Sequence, residues 1–147
     1  MSNQKDTRLL LADDDLDDFE LFKDAVSELS VPVNIIHCGN GVELMHHLAA
    51  FPAPDVIFLD LNMPQKTGFD CMREIRSQPE LQHIPVVIFS TSYDPQIVQI
   101  LYKEGADRYI VKPKNFKDLK RVILQVINLE SQTKLRRTSV HDFVLHP

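Results

Sequence analysis

The stretch LLLADDDLDDFELF, residues 9–22, decides how the chain is read. An apolar run, Leu9–Ala12, leads into Asp13, Asp14, Asp15, Asp17 and Asp18, five acids within six positions. Like charges this close repel one another. A short apolar run bounded by polar residues reads as a buried strand. Downstream, Phe19, Phe22, Val26 and Leu29 fall on one face of a helix. The aspartates therefore mark the carboxyl end of a strand and the start of a helix.

The same alternation recurs along the chain. Apolar runs at Leu9–Ala12, Val33–His37, Val56–Asp60, Val86–Ser90 and Tyr109–Val111 predict five strands covered on both faces. Helical periodicity fills the intervals and ends in a helix from about Phe116 to Glu130, with Leu119, Val122, Ile123, Val126 and Ile127 on one face. The sum is an α/β protein of (βα)5 type, a doubly wound parallel sheet with helices on both faces. Ligands of such sheets sit beyond the carboxyl ends of the strands. There the sequence places Asp13 and Asp14, Asp60, Ser90 and Lys112.

Composition narrows the function. With 147 residues, 44% hydrophobic and 25% charged, the chain suits one domain of ordinary size. A net charge of -5 argues against nucleic acid, and the basic residues are scattered except for Lys134, Arg136 and Arg137. The start MSNQKDTR lacks the apolar core of a signal peptide, and no apolar run approaches the roughly 18–20 residues of a membrane span. The expected location is cytoplasmic. Cys38 and Cys71 lack metal-ligand spacing and read as reduced structural thiols. The six histidines form no metal pair, and Met45, Met63 and Met72 read as filler.

Three carboxylates converging on one sheet edge call for a counter-charge. A hard divalent cation such as Mg2+ suits a site of few carboxylates and several waters. A carboxylate beside a metal and a lysine can also act as nucleophile toward phosphorus and form an acyl phosphate.

These residues resemble those of response-regulator receiver domains of bacterial two-component signalling. The resemblance rests on LLLADDD, PDVIFLDLNMPQKTGFD, IPVVIFSTS and GADRYIVKP, and it spans residues 8 to about 130. Ser90 lies 30 residues after Asp60 and Lys112 lies 22 after Ser90, as in that family. It implies a flavodoxin-like sheet of strand order 2-1-3-4-5. It implies that Asp60 is the phosphoacceptor, that Asp13 and Asp14 hold Mg2+ with Asp60, and that the carbonyl of Asn62 completes the metal site. Ser90, rather than the adjacent Thr91, takes the place of the switch hydroxyl, Tyr109 that of the switch aromatic and Lys112 that of the phosphate-binding lysine. Lys112–Pro113 takes the place of a peptide bond that is usually cis. Phosphorylation would let Tyr109 turn inward and change the surface of the fourth helix, fifth strand and fifth helix. Such a protein is not an enzyme beyond its own phosphorylation and dephosphorylation. Its partners are a histidine kinase or phosphotransfer protein and a downstream protein, with no nucleic acid and no membrane.

Two rivals share parts of this kit. Aspartyl-nucleophile phosphatases of the haloacid-dehalogenase type place an acid two residues after a nucleophile on the first strand; here that position is Asn62, and the candidate follows the third strand. A flavin module would need a phosphate-binding loop where the aspartates stand. A receiver-fold adaptor acting without phosphorylation also remains. The domain is expected over 1–130, followed by a tail over 131–147 and no output domain. The tail's Val140, Phe143, Val144 and Leu145 imply either a frayed end or a segment packed on its own domain or on a second subunit, which would make a homodimer.

Overall fold

The computed structural model describes residues 6–136 and 139–147; the polar start over 1–5 and Arg137 of the basic cluster lie outside the described residues. Five strands and five helices alternate: β1 (Thr7–Ala12), α1 (Leu16–Ser27), β2 (Val33–Cys38), α2 (Gly41–Ala50), β3 (Val56–Leu59), α3 (Gly68–Ser77), β4 (Val86–Ser90), α4 (Pro95–Glu104), β5 (Arg108–Val111) and α5 (Phe116–Ser131). The strands are all parallel, in the order β2-β1-β3-β4-β5, the flavodoxin-like arrangement that the resemblance implies.

Each helix starts where a short polar side chain can accept an otherwise unpaired N–H. Asp15, Asn40, Thr67, Asp94 and Asn115 cap α1 to α5 in turn. Pro95 fits the first turn of α4, where its missing donor is not needed. Gly105 ends α4 in the left-handed conformation, at φ 99°.

Side chains alternate across the strands and divide the core in two. Leu9, Leu11, Val56, Phe58, Val87, Phe89 and Ile110 pack against α1 and α5. Leu10, Ala12, Ile57, Leu59, Val86, Ile88 and Tyr109 pack against α2, α3 and α4. Phe22, Phe58 and Phe89 meet edge to face on the first side. Cys38 and Cys71 are buried free thiols, and burial pushes both up to about 11. Among the described residues no helix is long and apolar enough to cross a membrane.

Several strand boundaries depart from the sequence reading: β1 starts two residues early, at Thr7, and β2 runs one further, to Cys38. β3 ends at Leu59, one residue before Asp60, because the chain turns there to present the Asp60 carboxylate beyond the sheet. β5 begins one residue early, at Arg108, whose charge disguises a buried strand position.

The tail packs on its own domain. Thr133 turns the chain at φ 56° after α5. Tyr109 of β5 then donates its N–H to Phe143 O at 2.8 Å and accepts from Leu145 N at 2.9 Å, forming a parallel bridge opposite Val144. Phe143 and Leu145 are buried, whereas Val140 remains exposed. The Arg108 guanidinium donates to the carbonyls of Lys134, Leu135 and Asp142, and Arg136 pairs with buried Asp107 at 2.7 Å.

Candidate functional site

The carboxyl ends of β1 and β3 are neighbours, so the topology brings their acids together. Asp13, Asp14 and Asp60 each offer an oxygen within 4.8 Å of the others. Asp13 is fully buried, Asp60 nearly so, and Asp14 faces solvent. Three hard oxygen donors with one open side fit a divalent cation that keeps part of its water.

Local hydrogen bonds fix these acids. Asp13 Oδ1 accepts from Asp15 N at 3.0 Å, and its main-chain carbonyl accepts from His37 Nε2 at 2.8 Å. The His37 ring stacks on Phe19 at 4.1 Å, which ties the β1 terminus to α1 and β2. Asp60 N donates to Ala12 O at 3.0 Å and holds the two strand ends level. Asn62 donates its N–H to Asp60 Oδ1 at a long 3.4 Å.

Gly68 controls the loop between Asp60 and α3. Its N–H donates to Leu61 O, and a Cβ at this position would run into the Asp60 carbonyl oxygen and the Leu61 backbone. Gly68→Ala is expected to lower stability by about 1–3 kcal/mol, since backbone rather than a flexible side chain must move. Urea titration checks this, and an unchanged midpoint would refute the close approach.

Lys112 crosses from the end of β5 to the acids. Its Nζ donates to Asp13 Oδ2 and to Asp18 Oδ2, both at 2.8 Å, and lies 3.7 Å from Asp60 Oδ2. Burial alone would push this ammonium down. The hydrogen bonds to Asp13 and Asp18, with the charges of Asp13 and Asp60, outweigh it and hold the group well above its ordinary range. Asp60 is raised as well, but toward its neutral form: burial lifts it from 3.8 to about 6, opposed by Lys112 and reinforced by Asp13.

Ser90 is fully buried and accepts from Ser92 N at 3.4 Å, while Thr91 is exposed. Tyr109 points inward: its ring is buried and its hydroxyl donates to Ser92 O at 2.5 Å. Packing holds it there: Phe143 of the tail lies against the ring at 6.4 Å between centroids, and Tyr93 meets it edge to face. The Lys112–Pro113 bond is not as the resemblance implies. Among the described residues no peptide bond is cis, and Lys112 reaches its partners from the trans form, the lower-energy state of an ordinary X–Pro bond.

Asp18 is the site residue that sequence reasoning places in the helix start alone. Its spacing from Asp15 suggests a capping box. The structure keeps half of that motif: Asp18 N donates to Asp15 Oδ1, but Asp15 N goes to Asp13 and the Asp18 carboxylate goes to Lys112. The partner is 94 residues away, so no local pattern reveals it.

Comparison with known proteins agrees with this architecture. Residues 9–124 match the family model for the response regulator receiver domain. Response regulator Rcp1 of Synechocystis is 31% identical over 78% of this chain and 82% of its own length. The structure of the phosphorylated cyanobacterial phytochrome response regulator RcpA aligns at TM-score 0.80 and 30% identity, covering 88% of this chain and 96% of that one. The Mn2+-bound form of Rcp1 aligns at TM-score 0.74 and 29% identity, covering 82% and 91%.

Proposed function

Because the chain belongs to the response regulator receiver domain family of two-component signalling, we propose that it is a phosphoacceptor switch with Asp60 as the phosphorylated residue. One observation carries this reading: a buried carboxylate stands among two further acids and 3.7 Å from a lysine held charged. Asp60 Oδ attacks phosphorus, and the bond from phosphorus to a histidine nitrogen of the donor breaks, its electron pair leaving with the imidazole. Water then attacks phosphorus, the bond to Asp60 breaks, and inorganic phosphate leaves as the carboxylate is restored. Asp13, Asp14, Asp60 and the Asn62 carbonyl would hold Mg2+, which supplies charge neutralisation at the phosphoryl oxygens. An Mn2+-bound relative supports a divalent ion. Lys112 gives a second fixed positive charge, and Ser90 donates to a phosphoryl oxygen.

The phosphoryl group adds about -1.5 to -2 charge at Asp60. The readout is the surface of α4, β5 and α5, to which Tyr109 couples the site. The donor is a histidine kinase or phosphotransfer protein in the cytoplasm. The output is docking on a downstream protein or relay of the phosphoryl group, with no substrate turned over beyond the domain's own phosphate. The tail's Phe143, packed against Tyr109, favours a second reading, an adaptor whose output surface is held by its own tail and acts without phosphorylation.

Intact-mass measurement after incubation with acetyl phosphate and Mg2+ separates the two. Wild type is expected to gain one phosphoryl group and Asp60→Ala none. No gain on wild type would leave the adaptor; equal gain on both would remove Asp60 from the role.

A further inference from the structure

We propose that Asp18 is a positioning residue for Lys112, an inference that rests on the phosphoacceptor reading. A lysine ammonium has three donors. Two are committed, to Asp13 and to Asp18, each at 2.8 Å. Asp60 Oδ2 at 3.7 Å is too far for a hydrogen bond, so the third N–H is left for an oxygen added beyond the carboxylate.

The two anchors are not equivalent. Asp13 belongs to the acidic cluster that fits a cation, so a bound ion shares its charge with Lys112. Asp18 stands outside that cluster, on the first turn of α1, and its hold on Lys112 is undivided. A free lysine stem is highly flexible and loses entropy when it is fixed. Asp18 carries that ordering in advance, before the phosphoryl group arrives. Asp18 reaches the chemistry only through Lys112, and its part in starting α1 uses its backbone N–H, not its carboxylate. Removing the carboxylate therefore leaves the helix cap intact.

The test uses the full chain with acetyl phosphate at saturating Mg2+, following phosphoryl uptake by intact mass, together with the Lys112 ammonium signal in lysine-selective 15N spectra. Asp18→Ala is expected to slow uptake roughly tenfold, the worth of one charge-assisted hydrogen bond, and to shift or broaden the ammonium signal. Asp18→Glu is expected to recover part of both, while Asp17→Ala changes neither. Uptake within twofold of wild type in Asp18→Ala, an unmoved ammonium signal, or an equal loss in Asp17→Ala overturns the proposal. A wild type that takes up no phosphoryl group overturns the underlying reading instead. The ammonium signal distinguishes the two failures, because it reports the Asp18 contact without phosphoryl chemistry.

Discussion

Asp60→Asn is expected to make the protein more stable at pH 8 by roughly 2–3 kcal/mol, and to have little effect near pH 4. Burial lifts Asp60 from 3.8 to about 6 because the charged form loses water and faces Asp13. Between those two values the folded protein keeps a proton that the unfolded chain has released. Stability therefore falls as pH rises through that window, and the deficit is complete above about 6. Asparagine is neutral throughout and escapes it. Lys112 does not become an orphan, because Asp13 and Asp18 still accept from it. Urea unfolding of both proteins in metal-free buffer at pH 4 and pH 8 measures the difference. A variant less stable than wild type at pH 8 would refute the claim that the site is held against its own repulsion. Strain of this sort is what a functional site commonly imposes on a fold.

The second large effect belongs to the tail. Phe143→Ala is expected to destabilise the protein by about 3–5 kcal/mol, the usual range for a fully buried phenylalanine. Phe143 is 1% exposed and packs edge to face on Tyr102 at 5.3 Å and against Tyr109. Removing the ring also takes away the wall that keeps Tyr109 inside. Thermal or urea unfolding gives the stability, and the environment of Tyr109 in an aromatic NMR spectrum gives the ring position. A loss below about 1 kcal/mol would mean that the tail merely rests on the surface.

The fold was legible because each strand holds a short apolar run and each helix opens on a capping residue. The acidic cluster was legible for a related reason: parallel topology forces strand ends together, so Asp13, Asp14 and Asp60 had to be neighbours. What escaped depends on partners remote in the chain. Arg108 reads as a surface charge until three tail carbonyls surround it. Asp18 reads as helix chemistry until Lys112, 94 residues further along the chain, reaches it. Tyr109 reads as a strand aromatic, and nothing local says that Phe143 lies over it.

The segment beside β5 has a further consequence. An open sheet ends in strands whose outward N–H and C=O groups can template another chain. Here Tyr109 has both of its outward groups taken by Phe143 and Leu145, so the middle of β5, rich in strand-forming Tyr109, Ile110 and Val111, is no longer free to pair. The opposite rim, β2, carries Asn34 and His37 among its six residues and is the less adhesive of the two. The last nine residues thus act as a selvedge, finishing the side of the weave most prone to join another. A proteolytic nick that strips them would be felt first as self-association of otherwise folded molecules through β5.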